Sequence, residues 1–258
     1  MSWWGKAIGS GFGFMLGGPL GAIMGAAMGH HFDKGLNNID GFNIDHQQRT
    51  QTAFFTATFS IMGYMAKVDG HVSQDEIAMA RHVMAQMNLS AAQRKAAIAL
   101  FNEGKQANFP LDAALQQLRK ECHRSTNLLQ MFIEILISTA MADGNLHHAE
   151  TTTLNYIGQQ LGFDSAYIER LLRMINAQHN FDDGASSKPT TANAYAVLGI
   201  DENTSDADLK KTYRRLISQH HPDKLVARGL PEEMIKLANK KTHEIKVAYE
   251  LIKQSRKK

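Results

Sequence analysis

Apolar positions recur at helical spacing along most of the chain, and no stretch alternates in the manner of a strand. Gln47–Val68, Asp75–Met87, Ser90–Glu103, Leu111–Lys120, Leu128–Ala142, Ala149–Leu161 and Ser165–Ala177 each carry such a run. Their joints hold Gly, Asn or Asp, and proline is nearly absent. The pattern predicts a seven-helix bundle over residues 45–179. Further on, Leu209, Tyr213, Leu216, Ile217 and His220 form one stripe at i, i+4, i+7, i+8 and i+11. Ser205 with Asp208 opens that helix as a capping box, and Pro222 ends it by pushing His221 out of the helical region. A last helix follows a loop. Pro231, Glu232 and Glu233 suit its first turn, and Met234, Leu237, Ile245, Ala248, Tyr249 and Ile252 supply its buried side. Tyr195, Leu198 and Gly199 read as a short turn or helix that ends in glycine.

The N-terminal stretch follows another rule. Residues 7–29 carry no charge and are long enough to span the roughly 30 Å hydrocarbon layer as one helix. Gly9, Gly13, Gly17, Gly21, Gly25 and Gly29 recur at every fourth position, the small-residue register that lets two membrane helices approach closely. Trp3 and Trp4 stand where interfacial aromatics anchor a span, and Pro19 is a cost that a lipid-embedded helix tolerates. The leading reading is a transmembrane helix that self-associates. A cleaved signal peptide and a glycine-rich soluble or peripheral segment are the alternatives. Flanking charge does not set the orientation.

An internal repeat runs through the bundle. Residues 66–72 (AKVDGHV) with Glu76 beyond align with residues 140–146 (AMADGNL) with Glu150 beyond. Each copy ends a long apolar helix at an Asp-Gly turn and starts another. Asp69 and His71 in one turn, and Asp143 and His147 in the other, are conceivable oxygen and imidazole ligands. Structural turns are the stronger reading, since Gly70 and Gly144 supply the left-handed position and Ser73 with Glu76 makes a capping box. No metal or other cofactor is expected.

Composition adds limits. With 258 residues the chain can hold two modest domains, and its net charge of +3 is nearly balanced. Basicity gathers at the C-terminal end, where Lys210, Lys211, Arg214 and Arg215 lie off the apolar stripe. Cations on a single helix with no second reading element do not make a nucleic-acid site. His221 and Asp223 lack a nucleophile or an orienting third group, so catalysis is not expected of them. The single cysteine, Cys122, excludes an internal disulfide framework and zinc-binding cysteine repeats. Residues 180–191 are polar and contain Gly, Ser and Pro, which predicts a flexible linker and a mobile C-terminal module.

Four motifs in order carry a resemblance over residues 193–253. They are the Tyr-x-x-Leu-Gly run at 195–199, the basic helix, His221-Pro222-Asp223 with Lys224, and the Ala-Tyr-Glu-Leu run at 248–251. The segment resembles the J domain of DnaJ-type co-chaperones. That resemblance implies a hairpin of two antiparallel helices that stimulates ATP hydrolysis by DnaK, with Lys210, Lys211, Arg214, Arg215, His221, Pro222, Asp223 and Lys224 as docking residues. The Asp-Gly turns make the bundle resemble the tellurite-resistance TerB-like domain. The whole order of parts resembles the membrane-anchored DnaJ-like co-chaperones of Gram-negative bacteria. The expectation is therefore an all-α protein with a single transmembrane helix, a TerB-like helical bundle and a C-terminal J-domain hairpin. Its parts are a short leading segment (1–6), the span (7–29), a juxtamembrane segment (30–44), the bundle (45–179), the linker (180–191) and the J domain (192–258). The resemblance further implies a single-pass inner-membrane homodimer with its bulk in the cytoplasm, and a link to envelope-stress phosphorelay signalling and capsule synthesis. A membrane stress sensor or adaptor, whose TerB-like domain binds a metal or a signalling protein, is the alternative.

Overall fold

A computed structural model describes residues 17–28, 46–68, 89–123, 125–141, 146–182 and 190–257, with Arg81, Met84, Ala85 and Met87 between them. The described residues are helical throughout, without strands. The helices are α1 (Gly18–Met28), α2 (His46–Met65), α3 (Ala91–Gly104), α4 (Leu111–Glu121), α5 (Thr126–Ala140), α6 (His148–Leu161), α7 (Ser165–Asp182), α8 (Thr191–Leu198), α9 (Asp206–His220), α10 (Pro222–Ala227) and α11 (Ile235–Ser255). A 3₁₀ turn at Glu232–Met234 leads into α11.

Two helices form the centre of the bundle. Residues 50–63 of α2 are all buried, as are residues 128–137 of α5. Phe54 of α2 meets Phe132 of α5 edge to face at 6.1 Å between ring centroids. A helix buried on every side must satisfy its own polar groups. The hydroxyls of Thr52, Thr56, Thr58 and Ser60 each donate to the carbonyl four residues back, at 2.7–2.8 Å. The α3 helix crosses α2 at backbone contact. A Cβ on Gly63 would lie 1.9 Å from the Phe101 carbonyl oxygen, and one on Gly104 would lie 1.8 Å from that of Ser60. Only glycine fits either position. Both α2 and α5 end where the sequence repeat places its turns, at Met65 and Ala140. Asp69, His71 and Asp143 lie outside the described residues.

The N-terminal helix departs from an uninterrupted span. Gly17 and Gly18 have φ of +57° and +62°, so the helical path begins at Gly18. Pro19 then stands in the first turn, where a missing N–H costs nothing, rather than inside a helix. Leu20, Ile23 and Met24 are buried. The Gln117 amide of α4 clasps the helix start, accepting from Leu20 N–H at 2.8 Å and donating to the Gly17 carbonyl at 2.8 Å. Gly21 is buried and Gly25 faces open space, so these two do not share one close contact. Gly9, Gly13 and Gly29 lie outside the described residues. Among the described residues no helix is long and apolar enough to cross a membrane.

The C-terminal module is a hairpin. Tyr213 stacks on Tyr249 at 4.1 Å, while Asp206 at the start of α9 pairs with Arg256 just past the end of α11. Those pairings make α9 and α11 antiparallel. The Arg256 guanidinium also donates to Tyr195 Oη at 2.8 Å and to the Thr204 carbonyl at 2.7 Å, tying α8 and the loop before α9 to the end of α11. Of the stretch read as linker, residues 183–189 lie outside the described residues, and α7 continues into it as far as Asp182. The module contacts the bundle at several points. Gln47 Nε2 donates to the Val226 carbonyl at 3.1 Å, Gln93 bonds Glu233, and Gly229 lies over Thr50.

Candidate functional site

The docking residues expected from the sequence sit on α9 and α10. Ser205 caps α9, its hydroxyl accepting from Asp208 N–H at 3.1 Å, and Asp206 and Asp208 stand at the positive end of the helix dipole. The predicted stripe turns inward: Leu209, Leu216 and His220 are buried, and Tyr213 and Ile217 are half-buried. Lys210, Lys211, Arg214 and Arg215 are all exposed. The helix ends at His220, and His221 is extended, with φ −61° and ψ 121°.

Pro222 then does more than stop a helix. It opens α10 at the first helical position, with Asp223 and Lys224 in the same turn. The turn is therefore a stiff joint between two helices rather than an open loop. The short α10 was legible from the rule already applied to Pro231: a proline at N1 with an acid behind it. The His221 side chain is 42% exposed and that of Asp223 is 90% exposed. His221 Nδ1 and Asp223 Oδ2 are 4.0 Å apart, too far for a hydrogen bond. Lys224 donates to Ser218 Oγ at 2.7 Å on the same exposed side.

Immediately before the turn lies a buried charge cluster that the sequence reading missed. His220 is 2% exposed. Its Nδ1 is 2.9 Å from the Leu216 carbonyl, and its Nε2 is 3.0 and 3.1 Å from the two carboxylate oxygens of Glu134 on α5. Gln130 donates to the same carboxylate at 3.1 Å, and Lys241 Nζ of α11 stands 3.4 Å away. Burial alone would push the Glu134 carboxyl up. The charges of His220 and Lys241, with the hydrogen bonds from His220 and Gln130, outweigh it and hold the group well below the usual carboxylate range. Burial and the same carboxylate push the Tyr167 phenol up, against the opposing pull of Arg215 and Arg170. The available signal was the pair Gln130 and Glu134, polar positions inside the otherwise apolar run from Leu128 to Ile137.

The remaining candidates carry less. His147 precedes α6, and its N–H donates to Glu150 Oε2 at 2.8 Å, which makes it a helix cap. Among the described residues no group of three or more His, Cys, Asp or Glu is arranged to hold a metal ion. Burial, with the Glu121 charge adding to it, pushes the Cys122 thiol up to about 12, so it stays protonated at neutral pH.

Family models match three parts of the chain. Residues 1–39 match one described as the co-chaperone DjlA transmembrane domain, residues 55–173 one described as tellurite resistance protein TerB, and residues 193–258 the DnaJ domain. Relatives named co-chaperone protein DjlA extend over the full length. Those from Coxiella burnetii and Escherichia coli K12 are 44% and 39% identical, each over 99% of both chains. One from Photobacterium profundum is 40% identical over 98% of this chain and 99% of its own. The chain belongs to the DjlA co-chaperone family. Its bundle is thus the TerB domain of a DjlA-type chain, and α8–α11 form its J domain. No solved structure matches the chain.

Proposed function

We propose that this protein is a membrane-anchored co-chaperone whose J domain stimulates ATP hydrolysis by a DnaK-type chaperone. The observation that carries the reading is the His221-Pro222-Asp223 joint, half-exposed at His221 and fully exposed at Asp223, at the end of a helix with four exposed cations, within a chain of the DjlA family. Lys210, Lys211, Arg214 and Arg215 steer α9 onto an acidic partner surface. Pro222 presents His221 and Asp223 in one geometry, and Lys224 adds a cation beside them. The protein biases its partner between conformations, which requires that it bind one of them better than the other.

Residues 7–29 serve as a single-pass inner-membrane anchor that leaves the TerB and J domains in the cytoplasm. The match of residues 1–39 to the family's transmembrane domain supports that reading. In the inserted form Leu20, Ile23 and Met24 exchange their seat on the bundle for lipid or a partner helix. The four-residue glycine spacing serves pairing with a second copy, and two copies engage the chaperone bivalently. Signalling through an envelope-stress phosphorelay, with its effect on capsule synthesis, lies downstream of this activity.

The test is single-turnover ATP hydrolysis by DnaK with the full-length protein in lipid nanodiscs. Wild type accelerates hydrolysis, and His221→Gln removes nearly all of the acceleration while leaving the protein folded. Equal rates with wild type, the variant and no addition would sink the proposal.

A further inference from the structure

We propose that Glu134 is a positioning residue for the J domain: a buried carboxylate of the TerB domain that fixes the His-Pro-Asp joint by holding His220. The role rests on the co-chaperone reading of that joint.

One carboxylate collects a cation from each arm of the hairpin, His220 from α9 and Lys241 from α11. Three helices from two domains therefore meet at a single point. The imidazole is fixed at both ends. A carbonyl only accepts, so Nδ1 donates to Leu216, and Nε2 donates to the carboxylate. With one nitrogen on a carbonyl of its own helix and the other on the carboxylate, the ring cannot turn without losing both contacts. The path from Glu134 to the joint contains no soft link. The carboxylate holds the ring, the ring belongs to the last residue of α9, and the next residue is the extended His221 that Pro222 locks.

Buried ion clusters contribute little net stability unless their geometry is complete. What such a cluster supplies well is selection of one arrangement, because every other docking leaves a buried charge unmatched. Here the selected arrangement keeps Lys210, Lys211, Arg214, Arg215 and Asp223 exposed. The module meets its partner already oriented on the bundle and loses less freedom on binding.

The experiment uses full-length protein in nanodiscs, with Glu134→Gln and the double variant Glu134→Gln/Lys241→Gln. The double variant leaves no permanently charged group unmatched, so it carries the test should the single variant unfold. Spin labels at Glu169→Cys on α7 and Lys246→Cys on α11, both exposed positions, report the placement of the J domain on the bundle. The expected result is a narrow distance distribution in the otherwise wild-type protein and a broad one in both variants. Half-saturation of DnaK stimulation rises about tenfold in the variants, with the maximal rate within about twofold of wild type. A purely structural role would lower melting temperature without splitting half-saturation from maximal rate. A distribution that stays narrow overturns the proposal, as does a broad one with unchanged half-saturation. If wild type and a His221→Gln control are equally inert, the co-chaperone reading fails and the positioning role with it. The label distances then report separately whether Glu134 docks the module.

Discussion

His220 and His221 are neighbours in the chain, and each faces a carboxylate. His220 is buried, 3.0 Å from Glu134, with its other nitrogen on a carbonyl of its own helix. His221 is half-exposed, 4.0 Å from Asp223, and Asp223 stands almost wholly in solvent. One peptide bond separates a pair committed to the fold from a pair left open to a partner. The helix decides which is which. His220 falls on the apolar stripe of α9 and is carried inward, while Pro222 turns the next residue out of the helical path. Adjacent residues of one type thus take opposite roles because one stripe and one proline assign them opposite environments.

The strongest way to break this contrast is to remove the buried carboxylate. Glu134→Ala leaves His220 and Lys241 facing a cavity, and loss of one partner from a buried ion cluster costs about 3–5 kcal/mol. Urea denaturation of the variant against wild type measures it. A loss below about 1 kcal/mol, the range of an exposed pair, would mean that the two histidines do not differ as their surroundings imply.

Acid gives a smaller effect of known sign. The carboxyl of Glu134 is held below its ordinary value of 4.5 in the folded chain. Its contribution is therefore complete above about pH 4.5, where the unfolded carboxyl is also ionised, and is lost as pH falls toward the folded value. Between about pH 6 and about pH 3, stability should fall more steeply in wild type than in Glu134→Gln/Lys241→Gln. Parallel profiles would show that the carboxylate is not protected by its partners.

These contrasts were unequally legible in the sequence. The inward stripe of α9, the extended His221, the Gly199 cap with φ +64° and the exposure of the four cations all follow from spacing and from single residues with one dominant preference. Six of the seven helices read in the bundle stand close to their predicted limits, while the second, Asp75–Met87, falls mostly outside the described residues. The pairing at Glu134 was not legible, because Glu134 and His220 are 86 residues apart in sequence and nothing local marks them as partners. The same is true of Gly63 and Gly104, whose need for glycine arises only when α2 and α3 cross. The contacts between the J domain and the bundle were not legible either, because the composition of the residues between the domains does not register what the facing surface offers. The described end of the N-terminal segment shows the reverse. Its glycines fit a small-residue membrane register, yet Gly17 and Gly18 take positive φ and the described helix starts at Gly18.

The smallest expected effect sharpens the comparison from the exposed side. His221→Gln should change unfolding free energy by less than about 0.5 kcal/mol. The ring gives up little when removed: Asp223 is beyond hydrogen-bond reach, and Nδ1 has no hydrogen-bond partner among the described residues. The extended backbone at 221 is imposed by Pro222, which the substitution leaves in place. Equilibrium denaturation beside His220→Gln makes the contrast direct, because that neighbouring change opens the buried cluster. If His221→Gln also lost more than about 1 kcal/mol, any fall in chaperone stimulation by that variant would reflect damage to the fold, and the joint would have to be probed at Asp223 instead.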